Sequence, residues 1–154
     1  MQLERTHDHA TIARLNRTVH NLHVALYPDI FKPHDEEGMH DFFQRIFQQE
    51  QHAFYLAKVE DRIVGYVWIE YKIQPETLFK HATRSLYVHQ LSLEASEQGR
   101  GYGKRLMHLL ERIAREKDMS VIELDYWIEN TTAASFYETC GYEIQREFVS
   151  KRLK

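Results

Sequence analysis

Cysteine is nearly missing from this chain. Of 154 residues only Cys140 is one, so no disulfide framework forms and no cysteine-based metal cluster can be built. Long apolar runs are missing too. No stretch approaches the roughly 20 residues that cross a bilayer, and Met1–Glu4 opens no apolar leader-type segment. The expectation is a soluble protein of a reducing compartment, the cytoplasm, with no membrane partner. An excess of positive charge is also lacking: the formal net charge is −3, which speaks against a general nucleic-acid binder. With only three prolines and six glycines there is no linker, repeat or low-complexity tract. A single domain over residues 1–154 is expected, long enough to bury a core.

What glycine there is, is concentrated. Gln98–Leu106 reads Gln-Gly-Arg-Gly-Tyr-Gly-Lys-Arg-Leu, with Gly99, Gly101 and Gly103 at alternate positions. An apolar strand-like run precedes it and an amphipathic helix pattern follows. Glycines let a backbone take positive φ and approach a ligand closely. A loop of this kind entering a helix gathers N–H groups and the helix dipole into an anion site, most often for phosphate. Arg100, Lys104 and Arg105 add positive charge there; a tight turn with solvated basic side chains accounts for the same residues. The run is not a Walker loop, which needs Gly-x-x-x-x-Gly-Lys-Ser/Thr, and its glycine spacing is not that of a dinucleotide fingerprint. The ten histidines invite a metal reading, but His20 and His23, or His7 and His9, lack the His-Glu-x-x-His pattern and any cysteine partner. No metal is expected.

The rest of the chain falls into order around that loop. Gln2–Arg5 suits a short strand. From Asp8, Ile12, Leu15, Val19, Leu22 and Leu26 recur at helical steps until Pro28. A second helix is predicted over about Asp35–Gln49, with Asp35, Glu36 and Glu37 in its first turn, where the dipole favours them. His52–Val59 and Ile63–Ile73 read as a hairpin, and Ser85–Leu93 as a further strand. The helix after the glycine loop runs to about Asp118. Val121–Trp127 is β-prone, Asn130 or Thr131 caps a short helix to about Cys140 with Gly141 as its C′ residue, and Tyr142–Leu153 suits one or two last strands. The predicted order is β-αα-βββ-α-β-α-β: an α/β (α+β) fold with a mixed, mostly antiparallel sheet and helices on both faces.

Gln98, Gly101 and Gly103 meet the pattern Gln/Arg-x-x-Gly-x-Gly/Ala, and Asn130 followed by Ala134-Ser-Phe-Tyr-Glu-Thr-Cys-Gly-Tyr142 meets a second one, in which Phe-Tyr precedes Gly-Phe/Tyr. Both motifs, and the element order over nearly the whole chain, resemble the GNAT superfamily of N-acetyltransferases. The resemblance implies acetyl-CoA as co-substrate, with its pyrophosphate on Gln98, Gly99, Arg100, Gly101, Tyr102, Gly103 and Lys104. It implies main-chain pairing of the pantetheine arm with Leu91 and Leu93, the Leu91 amide as oxyanion donor, and Asn130 as helix cap or cofactor contact. It places Tyr137 where the family puts the acid that protonates the departing sulfur.

The chain departs from the family at one point. Where certain members carry a glutamate base, counting back from Gln98, stands Tyr87. His89 on the same strand and Glu70 on the neighbouring one are then the candidates for the base. The implied activity is transfer of an acetyl group to a primary amine, on a small molecule or a peptide, in a ternary complex. A non-catalytic acyl-CoA-binding or sensor module is the alternative. Tyr27, Phe31, Asp35, Glu36 and the loop Gln74–Thr83 are where acceptor choice is expected. The acceptor's identity and a homodimer are both left open by the sequence.

Overall fold

The helical pattern that begins at Asp8 becomes α1, His9–Leu26, in this computed structural model, which describes residues 1–153. Asp8 caps it, accepting from Thr11 N at 3.0 Å and from the Thr11 hydroxyl at 2.7 Å. After the Pro28 turn, Asp35 caps α2, Glu36–Ile46, by accepting from Gly38 N at 3.2 Å. The second helix thus starts where expected and stops one turn early.

Five strands follow the order of the chain across one sheet: β1 (Gln2–Arg5), β2 (His52–Val59), β3 (Arg62–Gln74), β4 (Thr83–Leu93) and β5 (Val121–Leu124). The first three pairings are antiparallel; β4 and β5 run parallel because a helical crossover joins them. That crossover is a 3-10 turn at Ala95–Glu97, the glycine loop, and α3, Tyr102–Glu116. The chain then forms α4, Thr131–Thr139, capped by Asn130 and followed by Cys140 and Gly141 at φ +83°. The fold class and the order through α4 agree with the expectation.

The C-terminal stretch differs. From Tyr142 to Leu153 there is no regular secondary structure. Ile144, Phe148, Val149 and Leu153 are exposed, and Arg152 reaches Asp29 at 3.4 Å. The run has strand-like composition, but a strand exists only by pairing with a neighbour, and none is paired with it among the described residues.

Each face of the sheet buries a separate cluster. Ala53, Val64, Val67, Ile69, Leu86 and Val88 pack against Leu106, Met107, Leu110 and Ala114 of α3. On the other face Phe54, Leu56, Tyr66 and Trp68 pack against Ile12, Ala13 and Leu15 of α1 and Phe43 of α2. The alternation of side chains along β2 and β3 produces this division.

Candidate active site

The parallel pairing of β4 with β5 covers only Ser85–Val88 against Val121–Leu124. Beyond Val88 the two strands part, while β4 stays paired with β3 through Leu93, opposite Gly65. His89–Leu93 therefore present main-chain groups to a gap on the β5 side. Leu91 and Leu93, half-buried against the α3-side core, lie along it. The glycine loop closes one end. Gly99 and Gly101 adopt φ +75° and +76°, the left-handed region that disfavours other residues, and a Cβ on either would meet nothing within 4 Å. Gly101 is the N-cap of α3 and no side chain caps that helix, so the first-turn N–H groups of Tyr102, Gly103 and Lys104 remain available. An open cradle with unpaired donors and a helix N-terminus fits a pyrophosphate.

Two loop residues turn out to have structural work. Gly103 faces α4, and a Cβ there would sit 3.0 Å from the Phe136 ring. Its smallness lets the helices approach, so filling it would strain that contact before it blocked the anion cradle. Gln98 Nε2 donates to Leu93 O at 3.2 Å and fixes the turn that leaves β4. Behind the loop, Glu97 is 4% exposed and ion-paired to Arg62 and, at 3.5 Å, to Arg100. The hydrogen bond from Arg62 holds the Glu97 carboxyl below its usual range.

Tyr137 lies in α4 among rings: Phe136 at 5.1 Å, Tyr142 at 5.7 Å and Tyr126 at 6.0 Å between centroids. Burial, with the nearby Cys140 and Asp125, pushes its phenol up to about 12, so it holds its proton throughout the neutral range. Asn130 spends its side-chain oxygen on Ala133 N at 3.1 Å, which is the capping role.

The sheet register brings His89 and Glu70 together. A bulge opposite Trp68 and Ile69 leaves His89 as the extra residue, so His89 and Gln90 both reach the α1/α2 face, as their contacts with Trp68 and Tyr66 show. His89 Nε2 is 2.7 Å from Glu70 Oε2. A carboxylate can only accept, so Nε2 carries the hydrogen and Nδ1 keeps a free lone pair in the neutral ring. His89 stacks on Trp68 at 4.4 Å, and Lys72 Nζ lies 3.8 Å from the same Glu70 oxygen.

His52, Tyr87 and Asp125 complete this group. Trp68 Nε1 donates to His52 Nδ1 at 3.0 Å, and burial lowers the His52 pKa, with Glu70 opposing in part. The ligand-capable atoms of His52, Glu70 and His89 lie within 4.8 Å of one another. In this arrangement one His52 lone pair is already used by Trp68, and the Lys72 ammonium occupies the cation position beside Glu70. Tyr87, at the position of the family's glutamate, donates to Asp125 Oδ2 at 2.6 Å and holds Lys72 Nζ 3.4 Å from its ring centroid. Burial, then the hydrogen bond to Asp125, keep this phenol protonated. Sequence reasoning missed His52, Trp68 and Asp125, since nothing local distinguishes a strand histidine that meets β4 only through the register.

The expected acceptor residues divide. Tyr27 and Phe31 pack on Trp127 at 4.6 and 5.2 Å, and the Tyr27 hydroxyl accepts from Glu129 N at 3.0 Å, which ties the α1–α2 loop to the segment before α4. The two acids have other work: Asp35 caps α2, and Glu36 pairs with Arg17 at 2.6 Å. The loop 75–82 carries Leu78 and Phe79 fully in solvent.

The chain resembles known proteins over most of its length. The model of the Acetyltransferase (GNAT) family matches residues 17–142. An uncharacterized N-acetyltransferase of Bacillus subtilis (strain 168), YycN, is 26% identical over 114 residues, covering 73% of this chain and 69% of that protein. One of Lactobacillus delbrueckii subsp. lactis is 28% identical over 125 residues, covering 75% and 71%. Among solved structures, the BH1408 protein of Bacillus halodurans, as a tetramutant, has TM-score 0.91 at 24% identity over 99% of this chain and 100% of that one. AAC(6')-Iy, in complex with the bisubstrate analog CoA-S-monomethyl-acetylneamine, has TM-score 0.69 at 16% identity over 99% and 97%.

Proposed function

The chain belongs to the GNAT acetyltransferase family, and from that premise we propose that it moves the acetyl group of acetyl-CoA onto a primary amine by direct attack in a ternary complex. The observation that carries this reading is the gap between β4 and β5, with an open glycine cradle at one end. The bisubstrate analog bound by AAC(6')-Iy supports it from outside the chain.

Acetyl-CoA supplies an activated thioester. Main-chain donors of Gly99–Lys104 hold the pyrophosphate, with Arg100 and Lys104 adding charge. Leu91 and Leu93 pair through their backbones with the pantetheine arm, and the Leu91 N–H is directed at the thioester carbonyl oxygen.

An alkylamine titrates near ~10.4 and reaches the site mostly protonated. His89 takes a proton through Nδ1, and Glu70, accepting from the opposite ring nitrogen, fixes the tautomer that leaves Nδ1 free to do so. The neutral amine attacks, the new N–C bond forms as C–S breaks, Tyr137 gives its proton to the departing sulfur, and the second proton shed by the attacking nitrogen restores the phenol. Tyr137 is protonated at every physiological pH, as that role requires.

Calorimetry with acetyl-CoA, followed by CoA release with a panel of amines, tests the proposal. Binding with amine-dependent CoA release is the expected result. Binding without release for any amine would leave an acyl-CoA-binding module, and no binding would remove both readings.

A further inference from the structure

A pocket of about 220 Å³ lies between α1, α2 and the sheet. Met39, Phe42, Phe43 and Trp68 form its apolar walls, and Asn16, His20 and Gln90 are its polar members. Asn16 is 2% exposed. Its Nδ2 donates to the Tyr66 hydroxyl at 3.1 Å and to Gln90 Oε1 at 3.0 Å, and the Tyr66 hydroxyl donates to that same Gln90 oxygen. Both amide hydrogens of Asn16 are thereby used, and its Oδ1 is buried with no partner among the described residues. The Gln90 nitrogen takes no part in the network. A buried acceptor left unmet is costly, and Asn16 and Gln90, whose amide donor is unengaged, are both lining residues of the cavity.

We propose that this pocket receives the non-reacting end of the acceptor, and that this end is one flat ring bearing a hydroxyl. The proposal rests on the acetyltransferase reading and narrows it. A hydroxyl both donates and accepts, so one group can give its hydrogen to Asn16 Oδ1 and take one from Gln90 Nε2. A cavity of about 150 Å³ holds a benzene, so the volume here suits one ring with a few further atoms. Aromatic walls favour a ring by edge and face contact. The residues lining the pocket include no carboxylate, so a polycation would be desolvated there without a charge partner. The amine itself stays outside. Trp68 joins the two regions: it walls the pocket and stacks under His89 at 4.4 Å. The chemical class is a hydroxyphenyl-alkylamine rather than a polyamine.

The test compares kcat/KM for tyramine, phenethylamine and spermidine in the full chain and in Asn16→Ala. Tyramine is expected to exceed phenethylamine by about tenfold, the worth of one well-placed hydrogen bond, with spermidine lowest. Asn16→Ala should bring the tyramine-to-phenethylamine ratio close to one. Equal rates for the two ring amines, an unchanged ratio in the variant, or preference for spermidine would each overturn the proposal. Should Asn16→Ala fail to fold, Met39→Trp fills the cavity from α2 and leaves the amide network intact. It should raise the tyramine KM about tenfold or more, and an unchanged KM would refute the assignment. Should no amine be acetylated, the transferase reading fails separately, and calorimetry in the presence of CoA still decides the pocket: tyramine binding tighter than phenethylamine supports it, equal affinities overturn it.

Discussion

The two faces of the sheet bury comparable clusters from different materials. Against α3 the central contacts are mainly aliphatic, with aromatic rings such as Tyr55 and Phe136 beside them: Val64, Val67, Ile69, Leu86 and Val88 meet Leu106, Met107 and Leu110. Against α1 and α2 they are aromatic, with Phe43, Phe54, Tyr66 and Trp68 at the centre. The buried Asn16 network and the His52–Glu70–His89 group lie on that second face. Aliphatic packing gains in proportion to the apolar area it buries and leaves no polar group to satisfy. Polar groups on the aromatic face must be matched one by one, and three atoms on that side, His9 Nδ1, Asn16 Oδ1 and His34 Nε2, are buried with no hydrogen-bond partner among the described residues. The difference separates a face packed largely with hydrocarbon, against which Tyr137 sits, from a face that buries polar groups among rings.

The sharpest way to break the comparison is to damage the aliphatic face alone. Leu110 is fully buried, so Leu110→Ala should lower stability by about 2–5 kcal/mol. Denaturant unfolding measures this, and kcat per folded molecule should stay within about twofold. A large kcat loss in folded protein would show that strain at Leu110 reaches the glycine cradle or Tyr137 on the same side of the sheet.

Tyr137, the proposed acid, packs against that same α3-side cluster. Tyr137→Phe keeps the ring among Phe136, Tyr126 and Tyr142 and removes only the hydroxyl. We expect kcat to fall by about 10²-fold, with acetyl-CoA affinity little changed and an equal loss in kcat/KM. Near-normal turnover would return Tyr137 to packing alone.

On the aromatic face, Glu70→Gln removes the carboxylate behind His89 while preserving shape. The expected loss in kcat/KM is about tenfold. An unchanged kcat/KM would assign deprotonation to solvent.

The smallest effect is on stability against pH. Burial lowers the pKa of His23, His34 and His52 below the ordinary 6.5, and all three lie on the α1/α2 side. Above about pH 6.5 these rings are neutral whether the chain is folded or not, and their contribution is complete. As pH falls below that value the unfolded chain takes up protons that the folded chain resists, so stability declines. Thermal unfolding should show a Tm flat near neutrality and falling below about pH 6.5. Hydrogen exchange should then report earlier opening of α1 and α2 than of α3, and uniform loss across both faces would erase the asymmetry.

Local chemistry made a large part of the molecule legible. The cap at Asn130, one of two positions the sequence offered, the C′ glycine Gly141 and the strand–loop–helix passage at Gln98–Leu106 depend on residues within a few positions of one another, so the sequence alone determined them, and with them the element order through α4 and the family. Pairing partners at long range were decided only by the tertiary structure. His89 meets Glu70 because the β3–β4 register carries a bulge at that point, and His52 joins them through the β2–β3 register. Gly103 is small because α4 brings Phe136 against it. The segment after Tyr142 has strand-like residues but no strand, because propensity favours an extended backbone and only a neighbouring edge with free hydrogen-bonding groups makes it a strand.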